Sequence, residues 1–146
     1  MKILVVGSGG REHAIAWRLT RDEERHDIYC APGNAGTSSI AVNVDISATN
    51  VEGIVAWAEK EKPDLVVITG DIAYPVPFQS GTFNNKTSAT LAIRLFEKLG
   101  VPWTVTFGNH DTESYSYFSR EKIGDLYSDP ALEKCLFSKG PDSVDG

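Results

Sequence analysis

Cysteine is nearly absent: Cys30 and Cys135 are the only two in 146 residues, and they form no CxxC pair. That excludes a disulfide framework and a cysteine-built zinc site, and makes a reducing, cytoplasmic setting the expectation. Long apolar runs are absent too; none approaches the ~20 residues a membrane helix needs. The start, MKILVVGSGG, has a short apolar stretch but no small-residue cleavage site, so it reads as a strand entering a glycine turn rather than a signal peptide. Basic residues are outnumbered, 14 against 20, for a net charge of −6. A phosphate-binding face needs the opposite balance, so neither nucleic acid nor an anionic membrane is an expected partner. No internal repeat or low-complexity segment is visible. What remains, 41% apolar and 23% charged, is an ordinary globular chain long enough for one core.

Strand-like and helix-like segments alternate. Ile3-Leu4-Val5-Val6 is a continuous apolar run stopping at Gly7, the pattern of a strand buried on both faces. A helix over about 11–21 follows, then a strand over 27–31 closed by Pro32-Gly33-Asn34. Val42, Val44 and Ile46 alternate with polar residues, predicting a half-buried edge strand. Asn50 is placed to cap a helix whose Val51, Ile54, Val55 and Ala58 share a face, and Pro63 ends it. Leu65 to Thr69 is the strongest strand in the chain and runs into Gly70-Asp71. Residues 73–85 read as a loop. A helix over about 86–99, stopped by Gly100, leads to a strand over 101–107 and a last helix over about 119–127. The expectation is an α/β, three-layer Rossmann-like sandwich with a mostly parallel five-stranded sheet. Right-handed crossovers favour the order 3-2-1-4-5. One domain spans 1–146, ending in an irregular tail over 137–146.

Two stretches carry chemistry. Gly7-Ser8-Gly9-Gly10-Arg11 lies between the first strand and helix, where glycines let backbone N–H groups approach an anion. As a bare pattern it fits a plain tight turn equally well. The longer string VVGSGGREHAIAW, with APGNAGT at 31–37, resembles the N-terminal domain of the phosphoribosylamine–glycine ligases, enzymes of purine biosynthesis in the ATP-grasp superfamily. The resemblance covers residues 1–65. It implies a substrate-side loop made of Gly7, Gly9, Gly10, Arg11, Glu12 and His13, with Pro32, Gly33, Asn34 and Gly36. Apart from the resemblance, the free N–H groups at the start of the first helix make a small phosphate or sulfate anion the expected ligand of the glycine turn. The family continues after its fourth strand with Gly-Pro-Glu, where this sequence has Gly70-Asp71-Ile72. The sequence does not carry the ATP-grasp domain.

From Pro63 onward the text changes. DLVVITGD and then VPWTVTFGNHD, at 101–111, resemble the calcineurin-like metallophosphoesterases. In that family two divalent ions polarise the phosphoryl group and generate a hydroxide nucleophile. The resemblance implies metal ligation by Asp71 and Asn109, leaving-group assistance by His110, and orientation of that histidine by Asp111. Considered alone, a strand-end Asp or Asn is more often a turn or cap residue. The family also needs Asp-x-His at the end of its first strand, where Gly7-Ser8-Gly9 stands here. It needs further histidines as well, and only His13, His26 and His110 occur. A divalent metal such as Mn, Fe or Zn is therefore expected weakly if at all, and no resident cofactor is expected.

The change falls between about Lys62 and Thr69, on a strand with the same apolar run in both families. The two resemblances together imply an engineered chimera: a ligase-like half over 1–65 and a phosphoesterase-like half over 66–136. Imperfect packing is expected where helices of different parentage meet. The expected function is that of a folded scaffold, monomeric or a small homo-oligomer, with no complete natural active site. A weak metal-dependent phosphoesterase, or weak phosphate or nucleotide binding at the glycine loop, is the alternative.

Overall fold

The computed structural model describes residues 1–70, 85–108, 111 and 120–136. The elements run β1 (Lys2–Gly7), α1 (Gly10–Leu19), β2 (Asp27–Pro32), a 3-10 turn (Thr37–Ser39), β3 (Val42–Asn43), α2 (Val51–Glu61) and β4 (Leu65–Thr69). Then come α3 (Asn85–Phe96), a 3-10 turn (Glu97–Leu99), β5 (Trp103–Thr106) and α4 (Arg120–Tyr127). The five strands form one sheet in the order β3-β2-β1-β4-β5, and every pair is parallel. The α/β architecture and strand order are those the alternation predicts.

Strand periodicity sorts the core into two layers. Ile3 and Val5 of β1 face one side, with Ala16 of α1, Ile28, Cys30 and Val67. Leu4 and Val6 face the other, where they join Ile54 and Ala58 of α2, Ala89 and Ile93 of α3, Trp103 and Tyr127. β1 and β4 are buried on both faces, which is why each reads as an unbroken apolar run. Their register pairs Ile3 with Leu65 and Val6 with Ile68, so both strands reach the same sheet edge together.

Helix ends follow local chemistry. The Asn50 side chain accepts from the Gly53 N–H at 3.0 Å and starts α2. Lys62, in the left-handed region at φ 49°, closes it. Gly100, at φ 67°, ends the 3-10 turn after α3. One expected element is smaller than its pattern. β3 pairs over Val42 and Asn43 alone, and Val42 is exposed. Val44 and Ile46 do pack on the core, but beyond the strand. The Val44 N–H still donates to the Cys30 carbonyl at 2.8 Å, so backbone pairing reaches Val44, and the half-burial of Ile46 continues the alternation past it. The predicted loop over 73–85 lies outside the described residues up to Asn85, where α3 begins, as does the tail over 137–146.

Candidate functional site

Parallel strands carry their connecting turns to the C-terminal sheet edge, where open α/β sheets bind ligands. There the glycine turn after β1 is folded around a carboxylate of its own chain. Glu12, third residue of α1, is 5% exposed. Its Oε2 accepts from the Gly9 N–H at 2.5 Å, and its Oε1 accepts from the Thr69 hydroxyl. Gly7 adopts φ 136°, and a Cβ there would lie 2.7 Å from the Glu12 carboxyl carbon. Glycine at this position thus makes room for the glutamate as well as for the turn. A buried carboxylate already holding a loop N–H opposes a phosphate in the same place.

The second loop is tied to the first through one side chain. Asn34 Nδ2 donates to the carbonyls of Ser8 at 2.8 Å and Gly9 at 3.2 Å. Its Oδ1 accepts from the N–H groups of Gly36 at 2.8 Å and Thr37 at 3.0 Å. Thr37, fully buried, bonds Asn43 Oδ1 at 2.7 Å. His13 flanks Gly36, where an added Cβ would lie 3.1 Å from its Cε1. Gly7, Gly9, Gly10, Arg11, Gly33 and Asn34 therefore gather at one end of the sheet. Cys30, beneath them on β2, is buried; burial raises its thiol pKa, only partly offset by its hydrogen bond with Thr37. It is a packed thiol and not a nucleophile.

From the other half, the ends of β4 and β5 meet the same edge. A Cβ on Gly70, at φ 42°, would lie 2.8 Å from Arg11 Cζ and 2.9 Å from Gly108 Cα. The Arg11 guanidinium lies over the β4 turn, and the β4 and β5 turns touch. Asp111 is buried, and its Oδ2 accepts from the Gly108 N–H at 2.6 Å. Asp71, Asn109 and His110 lie outside the described residues. Among the described residues no group of three or more His, Cys, Asp or Glu side chains could hold a metal ion. Nor is any helix there long and apolar enough to cross a membrane. Thr69 carries no motif signal; only its place one residue before Gly70 puts its hydroxyl on Glu12.

Two family models match. Phosphoribosylglycinamide synthetase, N domain, matches residues 1–74, and calcineurin-like phosphoesterase matches residues 44–144. Each covers more than half of the chain, which therefore belongs to both families: a composite of an N-domain unit and a phosphoesterase unit. The overlap takes in α2 and β4, which suit either pattern. Among curated proteins, the phosphoribosylamine–glycine ligase of Caldanaerobacter subterraneus subsp. tengcongensis is 46% identical over 68 residues, 47% of this chain and 16% of that protein. That of Rhodopirellula baltica is 35% identical over 89 residues, 61% and 20% of the two chains. That of Clostridium acetobutylicum is 43% identical over 68 residues, 47% and 16%. The chain spans a fifth or less of the length of these relatives.

Proposed function

We propose that this composite is a folded scaffold made by engineered fusion at the α2–β4 unit, without a complete catalytic site of either parental kind. The observation that carries the reading is the end of β1. Where the phosphoesterase resemblance places an Asp-x-His ligand pair, Gly7-Ser8-Gly9 turns around Glu12. No metal-ligating side chain issues from that turn, and a two-metal site built from Asp71 and Asn109 alone lacks the ligands to hold both ions. On the ligase side, Gly70 is followed by Asp71-Ile72 and not Pro-Glu. In this reading the protein works in the cytoplasm of its host and holds divalent metal weakly at most.

The test is hydrolysis of p-nitrophenyl phosphate with Mn²⁺, beside a thermal melt. The expected result is a cooperative melt and turnover equal to that of Asp71→Ala. A rate abolished by Asp71→Ala overturns the reading in favour of a weak phosphoesterase. One observation favours that second reading: Asp111, to which the phosphoesterase resemblance gives an orienting role, is buried and anchored on the Gly108 N–H. Titration of the glycine loop with ribose phosphates and ATP is expected to give no binding, because Glu12 occupies its interior.

A further inference from the structure

Among the described residues, the seam between the two parental units is not filled. A cavity of about 410 Å³ opens between α2 and α3, floored by the sheet. That lies within the ~300–1,000 Å³ typical of small-molecule sites. Its walls are apolar: Ile54 and Val55 from α2, Ala92 and Phe96 from α3, Val6 and Ile68 from the sheet. Ala92 leaves open a volume that a larger side chain would occupy. At the rim, Ala48, Thr49 and Leu95 are exposed, so the cavity opens to solvent.

One wall is not apolar. Glu12 also lines this cavity, together with Thr69 and Gly70. Its carboxylate is held by one donor on each oxygen, the Gly9 N–H and the Thr69 hydroxyl. A carboxylate offers about four acceptor positions, so capacity remains. Arg11, over Gly70, is exposed. An apolar cavity with a buried carboxyl group in its wall selects a ligand with an apolar body and a cationic, hydrogen-donating head.

We propose that this cavity is a binding site for small arylalkyl- or alkylammonium compounds, the apolar body between α2 and α3 and the ammonium on Glu12. The site shares Glu12, Thr69 and Gly70 with the strand-end turns described above, but it does not depend on their phosphoester activity.

The test is titration with 2-phenylethylammonium, with 3-phenylpropionate and ethylbenzene as partners of like body and different head, followed by calorimetry and by the methyl resonances of Ile54 and Leu95. The ammonium is expected to bind saturably and to move those methyls, and the carboxylate and the hydrocarbon to bind at least about tenfold more weakly. Ala92→Phe, which fills the space, is expected to abolish binding while keeping a cooperative melt. Val55→Phe fills the same space from the opposite helix and serves if Ala92→Phe does not fold. Absence of saturable binding, binding undiminished in a folded filling variant, or equal affinity for the three probes each overturns the proposal.

Discussion

The two halves of the sheet are held by different means. On the β1–β2 side, one asparagine makes four hydrogen bonds that join two loops, and Thr37 and Asn43 extend the network. On the β5 side, order comes from rings. Trp103, fully buried, packs against Phe96 at 5.2 Å and Tyr127 at 6.3 Å between centroids, and Phe107 meets Tyr127 at 6.2 Å. The Trp103 indole N–H donates to Glu97 at 2.8 Å. Polar stitching fixes backbone geometry with little buried area, whereas ring packing supplies area and tolerates less exact loops. The lesson is that one strand order accommodates both, because β1 and β4 pair through an apolar ladder that is indifferent to what lies beyond it.

The contrast can be broken from its heavy end. Trp103→Ala removes the hub of the ring cluster and is expected to cost about 3–5 kcal/mol in a urea titration. Asn34→Ala should cost about 1–3 kcal/mol, since several loop groups lose their partner. Its signature is local: faster amide exchange at Gly36 and Thr37, with the β5 amides unchanged. Equal acceleration in both regions would show that the halves are not separable.

Alkali should act on both sides, through the buried Cys30 thiol on β2 and more strongly through the ring side. Burial pushes the Tyr127 phenol well above its ordinary value of 10.0, with the neighbouring Asp111 and Cys135 adding to the effect. The folded state thus keeps a proton that the unfolded chain releases. The Tyr127 contribution is full below pH 10 and falls as pH rises toward the folded-state value, by about 1.4 kcal/mol per pH unit. Tyr127→Phe should flatten that fall in denaturant midpoints measured across the range. The smallest effect belongs to the seam: Asn50→Ala removes the cap of α2 and is expected to cost about 1 kcal/mol.

Much of the fold was legible because strands buried on both faces write themselves as apolar runs. Ile3 to Val6 and Leu65 to Thr69 could be placed side by side from sequence, and the crossover rule supplied the order. β3 was over-read, because period-2 alternation marks a half-buried segment whether or not it is hydrogen-bonded. The site was legible only as motifs. Gly7, Gly9 and Gly10 signalled a turn, but nothing in their spacing says that the turn closes on Glu12. That depends on Thr69, 57 residues away, whose hydroxyl reaches Glu12 only because β1 and β4 are adjacent. The open volume between α2 and α3 is likewise a product of packing, and the change of family along the chain pointed to where it would lie.

At the β5 border, residues just after α4 return along the sheet. Trp103 forms a parallel bridge with Cys135. Its N–H donates to the Lys134 carbonyl at 2.9 Å, and its carbonyl accepts from the Leu136 N–H at 2.8 Å. The opposite border ends in β3, a strand of only two residues. A sheet grows from molecule to molecule by offering a free row of N–H and C=O groups along its margin. Here one margin is occupied by the chain itself at Trp103 and the other is too short to seed a partner. Concentrated solutions should therefore resist strand-to-strand polymerisation even though β1 and β4, taken as peptides, have the composition of fibril-forming segments.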